Sequence, residues 1–279
     1  MIEYPEAVVI AGQIDESLTG KRIESAVQGF SPHKWAFTTA TPEAYAERLA
    51  GREIVGAVPH GGTLKVRLDD GQIIVLGGGG ERILYHEAGA KLPKKHQLLL
   101  NFVAGDCLTV AVQGWGSVML FEDAYPAEPA WLTPKGPAPL DEGFTAAYVD
   151  GLIDGLGSEA RTSVKAFVIN EPGIWGLGNG YLQDIAFGAG LHPRRKVVGL
   201  SADERVALHA CAASVVRRAW ELQGRDTERD LYNEKGRYVR QMDSRTKGEP
   251  CPRCGTPIEK IAYLGGACYF CPQCQPLDQ

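Results

Sequence analysis

Apolar positions along this chain follow two different periods. Up to about residue 125 they alternate or form short runs; after about residue 140 they recur three and four apart. EIVGAVPH (53–60), TLKVRL (63–68), QIIVLGG (72–78), LTVAVQ (108–113) and SVMLFED (117–123) are β-branched or alternating, and Gly or Asp-Asp-Gly turns separate them, which predicts strands. Helices are expected at 15–29 and 42–50 within this mostly β part. A proline-rich stretch, AYPAEPAWLTPKGPAP, reads as a linker. Beyond it LDEGFTAAYVDGLIDGL, SVKAFVI, GYLQDIAFGAG and SADERVALHACAASVVRRAWELQG carry the helical period. Ser201 followed by Glu204 is a capping box that opens the last of them. The pattern divides the chain into a β part (1–125), a linker (126–140), a helical part (141–245) and a short C-terminal module (246–279), an α+β organisation.

Composition narrows the class. The chain has 279 residues, 44% hydrophobic and 23% charged, ordinary values for a globular protein with room for two cores. No apolar run is long enough for a membrane span and no secretory leader is visible, so a cytoplasmic protein is expected. Net charge is −5, which by itself argues against a nucleic-acid binder. Its distribution argues otherwise: from Arg194 to Arg253 there are 14 Lys and Arg against 9 Asp and Glu, a local +5, leaving −10 for the rest. Such a segment is either a polyanion footprint or a solvated helix surface.

Chemistry concentrates at the C-terminus. Cys251, Cys254, Cys271 and Cys274 are spaced C-x2-C-x16-C-x2-C. Two such knuckles place four thiolates around one ion, and four thiolates close the shell, so the spacing predicts one structural Zn2+. Cys268 reads as a bystander, and Cys107 and Cys211 as small buried hydrophobes. Upstream, GLGNGYLQDIAFGAGLHP (176–193) presents a Gly-x-Gly-Asn turn at a helix start. The backbone N–H groups around Gly178 form an anion site there, with the Asn179 side chain as a further donor; a plain helix–turn–helix joint is the alternative.

These segments together resemble the formamidopyrimidine-DNA glycosylase/endonuclease VIII family over essentially the whole chain. MIEYPE is similar to the family's opening Met-Pro-Glu-Leu-Pro-Glu, GPAPLDEGFTAAYVDGL to the entry of its helical domain, residues 176–193 to its helix–two-turn–helix motif, and GEPCPRCGTPIEKI…YFCPQCQ to its zinc finger. The resemblance implies an N-terminal β-sandwich, a helix–two-turn–helix domain, a zinc-finger hairpin, damaged or distorted duplex DNA as partner, and a nucleoid-associated monomer. It also implies covalent chemistry. The N-terminal proline amine of the family attacks C1′ of the damaged nucleotide, the adjacent Glu shuttles protons, and the lesion base is flipped out.

Residue by residue, the match departs from the pattern. Glu3 stands at the acid/base position, but Ile2 takes the place of the nucleophilic proline, and a bulky second residue normally leaves Met1 attached. Thr63 falls where the family has its phosphate-binding Lys; Lys65, two residues on and on the same strand face, is the candidate substitute. Gly266 takes the place of the zinc-finger Arg. Gly79 lies near the family's void-filling Met, and Gln113, Gly114 and Trp115 near its Arg-Arg-Phe stretch. Trp115 reads either as a wedge that stacks on a base or as a core residue of a hairpin. Two functions follow: a DNA-binding member without the proline lyase mechanism, or an active glycosylase that uses Glu3 with a water or a substitute amine such as Lys65.

Overall fold

The computed structural model describes residues 1–122 and 133–277. The first part of the expected linker, residues 126–132, lies outside them, as do residues 123–125. The chain forms two compact units, Met1–Thr133 with Trp220–Tyr238, and Pro134–Ala219 with Val239–Gln279. The segment Trp220–Tyr238, which the sequence pattern groups with the helical part, thus belongs with the N-terminal unit.

The first unit opens with helix α1, Tyr4–Leu18, where the sequence reading expects a helix only at 15–29. The correction has local causes. Pro5 fits the first turn, where no intrahelical N–H is needed, and Glu3 with Glu6 forms a capping box. Ala7, Ile10, Ala11, Ile14 and Leu18 then make one apolar stripe, wholly buried. Each large side chain of that stripe contributes about 1.5–3 kcal/mol by burial. The helix stops at Leu18 because Gly20 turns the chain at φ +84°, and Ile23–Gln28 becomes strand β1.

After β2 (Ala36–Phe37), helix α2 (Pro42–Leu49) falls on the expected 42–50 and is capped by Thr41. Strands β3 (Ile54–His60), β4 (Thr63–Leu68), β5 (Ile73–Gly77), β8 (Cys107–Val112) and β9 (Gly116–Phe121) fall on the expected runs. Strands β6 (Glu81–His86) and β7 (Leu98–Phe102) are additional. They pair into a four-stranded sheet, β1-β7-β8-β6, and a five-stranded sheet, β2-β9-β5-β4-β3. Leu98, Leu100, Val110 and Ile83 of the first share one core with Leu64, Val66, Leu76 and Val118 of the second and with α1. This is the expected β-sandwich.

The second unit carries the helical pattern almost as read: α3 (Ala146–Asp154), α4 (Val164–Ile169), α5 (Asn179–Gly188) and α6 (Ala202–Glu221), whose last two residues lie in the first unit's segment. The α6 capping box is present, with Ser201 N–H donating to Glu204 Oε2 at 2.8 Å and Glu204 N–H to Ser201 Oγ at 3.3 Å. Strands β10 (Glu259–Tyr263) and β11 (Gly266–Phe270) form the C-terminal hairpin. Among the described residues no helix is long and apolar enough to cross a membrane.

Candidate functional site

The N-terminus is built into the first unit rather than presented on it. Ile2 is 3% exposed and lies in the main core. Its N–H donates to the carbonyl of Gly79 at 2.8 Å. The Met1 ammonium pairs with Glu228 at 2.9 Å, and Arg82 pairs with the other oxygen of Glu228 at 3.2 Å.

Glu3, the candidate acid/base, is 2% exposed. Its carboxylate accepts from Arg225 Nη1 at 3.1 Å, and its N–H donates to Glu6 Oε2 at 3.1 Å. Arg225 also donates from its backbone N–H and its Nε to Glu6 Oε1, from Nη2 to Glu6 Oε2, and from Nη2 to the carbonyl of Met1. A bidentate guanidinium in a dry site is a strong charge-assisted clamp. Sequence reasoning missed Arg225 because no local pattern links positions 222 residues apart.

A second buried carboxylate adjoins this end. Glu81, 2% exposed, accepts from Ser117 N–H at 2.7 Å and from Gly79 N–H at 3.0 Å. Burial pushes its carboxyl up to about 7, against the opposing pull of the Ser117 and Gly79 bonds. Gly79 therefore links the N-terminus to Glu81, its carbonyl holding Ile2 and its N–H holding the carboxylate. The glycines there are steric necessities. A Cβ on Gly79 would lie 2.1 Å from the carbonyl oxygen of Trp115, and one on Gly80 would lie 2.0 Å from that of Gln113. The run of glycines thus serves close approach to the β8–β9 turn.

That turn carries Trp115, which is 48% exposed. That exposure excludes the core-residue reading of Trp115. Lys65 lies beside Val75 in the β4–β5 register, and Val75 packs with Met119 and Phe121. Its strand neighbours Leu64 and Val66 point the other way, into the core that holds Ile2, Ala7 and Ile10. Lys65 and the α1 start are thus on opposite faces of that sheet. Thr63 is buried, its hydroxyl donating to the carbonyl of His60 at 2.7 Å.

In the second unit Gly178 caps α5 and Asn179 is its first residue. The Asn179 amide Nδ2, expected as a free donor, donates instead to the carbonyl of Ala267 on β11 at 3.1 Å. Gln183 Nε2 reaches the same carbonyl at 3.2 Å, and Lys165 Nζ, wholly buried, donates to the carbonyl of Tyr263 at 2.7 Å. The side-chain oxygens of Asn179 and Gln183 are buried with no hydrogen-bond partner among the described residues. Gly266 opens onto this group: a Cβ there would stand 3.3 Å from Lys165 Nζ and 3.5 Å from Asn179 Nδ2. Lys165 was also missed; its only signal is a lysine inside the otherwise apolar turn SVKAFVI.

The four predicted cysteines do converge. The Sγ atoms of Cys251, Cys254, Cys271 and Cys274 all lie within 4.8 Å of one another. The Cys251–Cys274 separation is 3.8 Å and the Cys254–Cys271 separation 3.5 Å. Tetrahedral ligation at about 2.3 Å requires sulfurs about 3.8 Å apart, so the donor set fits Zn2+. Backbone N–H groups of Arg253 and Cys274 donate to Cys251 and Cys271 sulfur at 3.4 Å each, as in a metal knuckle. Cys268, wholly buried opposite Ile261 in the hairpin, is not among them. With four protein ligands the site is structural.

A two-sheet unit with a buried acidic N-terminus, a Gly-Asn helix start and a four-cysteine finger define a DNA-glycosylase fold. No protein-family model matches the chain. Curated relatives do. The formamidopyrimidine-DNA glycosylase of Symbiobacterium thermophilum is 30% identical over 291 residues, covering 100% of this chain and 90% of the relative. That of Geobacillus kaustophilus is 30% identical over 282 residues, covering 99% and 100%. Solved structures agree on the fold. Lactococcus lactis Fpg in complex with DNA containing an abasic site superimposes with a TM-score of 0.83 at 23% identity, covering 98% and 99% of the two chains. MutM from Thermus thermophilus gives 0.82 at 23% identity, covering 99% and 100%. The chain belongs to the formamidopyrimidine-DNA glycosylase family.

Proposed function

We propose that this protein is a DNA-binding member of its family that does not use an N-terminal secondary amine as a nucleophile. The observation that carries this reading is the state of residues 1 to 3. Ile2 fills the core with its N–H bonded to Gly79, and the Glu3 carboxylate is clamped by Arg225. A carboxylate that shuttles protons must reach a substrate atom; here the clamp takes that carboxylate. The Met1 ammonium, a primary amine one residue further out, is paired with Glu228. For DNA contact the supporting features are the α5 start and the locally basic stretch Arg194–Arg253. The partner is damaged or distorted duplex DNA, the ligand class of the solved relatives.

Borohydride trapping on a duplex with one abasic site tests the chemistry. The expected result is DNA binding with no covalent adduct. An adduct that maps to the N-terminal peptide would overturn the proposal, and base release abolished by Glu3→Gln would replace it with the glycosylase reading. Intact mass is expected to include Met1.

A further inference from the structure

Trp35 and Phe30 are exposed aromatics that the readings above leave unexplained, and Trp115, read above as a wedge, stands beside Trp35 in the sheet register. Trp35 is 52% exposed and Phe30 61%. The stretch between β1 and β2 carries Phe30 and Trp35, and the β8–β9 turn carries Trp115. Strand β2 runs parallel to β9 with Ala36 opposite Gly116, and Gly116 N–H donates to the carbonyl of Trp35 at 3.0 Å. Trp35 and Trp115 therefore each stand one residue ahead of a paired position, at the leading ends of adjacent strands about 4.8 Å apart. The segment after β1 is bonded in turn to the stretch before β7. Gly29 N–H donates to the carbonyl of Gln97 at 2.9 Å and Ser31 N–H to that of His96 at 3.1 Å. The ring of Phe30 lies flat on that of His96, centroids 4.5 Å apart and planes within 4°.

Charge on these segments is one-sided. Lys34, Lys91, Lys94 and Lys95 are exposed, and Lys34 Nζ sits 4.9 Å from the Trp35 ring centre. No Asp or Glu occurs between Glu24 and Glu43, between Glu87 and Asp106, or between Asp106 and Glu122. In a chain of net charge −5, three hydrogen-bonded segments carry four lysines and no acid. Exposed aromatics grouped on neighbouring strands, unlike scattered ones, mark an interaction site. Aromatic faces interleaved with lysines match one class of polymer, an unpaired strand whose bases stack while its phosphates meet the ammonium groups.

We propose that Trp35, Trp115, Phe30 and Lys34, with Lys94 and Lys95 beside them, form a platform for single-stranded DNA. The proposal rests on the DNA-binding reading for the identity of the polymer and adds a site of its own. Sequence preference is low, because every base offers a stacking face.

The test is a titration of the full-length protein with a fluorescent oligothymidylate of about 12 nucleotides and, separately, with an abasic-site duplex. The expected results are binding of the single strand, quenching of tryptophan emission in the unaltered protein, and affinity for the single strand falling about 5-fold or more in Trp35→Ala. Trp35→Ala should bind the duplex as before. Lys34→Ala should make the salt dependence of single-strand binding shallower by about 0.7 in log–log slope. Duplex binding without single-strand binding, an unaltered single-strand affinity in Trp35→Ala, or single-strand binding without quenching would each overturn the platform and leave the duplex reading in place. A protein that binds neither DNA removes both. Because the side chain of Trp35 is half in solvent, its truncation leaves little cavity, and the quenching readout needs no variant at all.

Discussion

Arg225 binds Met1, Glu3 and Glu6 at once, and its guanidinium and both carboxylates are withdrawn from water. Breaking a buried pair from one side is costly because the remaining charges stay desolvated. Arg225→Met should lower unfolding stability by about 3–5 kcal/mol, read from urea denaturation. Replacing Lys65, at the half-buried face of β4, should cost far less. Glu81 supplies a second residue-level prediction, in pH. Its folded pKa of about 7 lies above the ordinary 4.5, so the folded state holds the proton more tightly. That stabilisation is complete below about pH 4.5 and is lost as pH rises through about 7, a fall of up to about 3 kcal/mol. Denaturation midpoints across that range should decline in the unaltered protein relative to Glu81→Gln. Parallel curves would refute the assignment. Neither residue was legible in the sequence. Arg225 is one of many arginines in a basic stretch, and Glu81 follows four glycines with nothing to mark it as buried.

Helices and strands were legible where the pattern that encodes them is local. Ser201 with Glu204 and the two cysteine knuckles each act within a few residues, and each is where the pattern put it. Helix α1 was misplaced because its start depends on a proline at the first turn and its end on one glycine, while IESAVQ can be read at either period. Strands β6 and β7 escaped because their pairing partners, not their own alternation, define them. At this scale Gly79→Ala should be strongly destabilising, since the new methyl meets the Trp115 carbonyl and not a side chain that can swing aside. Thermal unfolding would measure it, and Gly89→Ala, where a Cβ meets nothing within 4 Å but φ is +77°, is the control for backbone strain alone. Zinc is the other element-level dependence. Elemental analysis should find one ion per chain, and chelation should melt the β10–β11 hairpin before the β-sandwich, as seen by hydrogen exchange.

Across the whole molecule, the β-then-α order was readable from the change of period, but the ownership of Trp220–Tyr238 was not. That segment leaves a helix of one unit and packs with the other, bringing Leu231 into the sandwich core and Arg225 to the chain's start. No periodicity encodes such a return. The proposed functions also follow from uneven distribution: an acidic chain in which the basic stretch after Arg194 and the lysine-bearing aromatic surface are local exceptions.

The clamp on the first residues also dictates an order of events during synthesis. Glu3 and Glu6 leave the ribosome first, yet their guanidinium follows more than two hundred residues later. At translation speeds of about 5–20 residues per second, the nascent sandwich waits on the order of ten seconds or more with two carboxylates it cannot bury in charged form. Until residue 225 arrives, the end of α1 that carries them must stay solvated or protonated. The N-terminal unit is thus completed late, by a segment made after helices α3 to α5 and nearly all of α6.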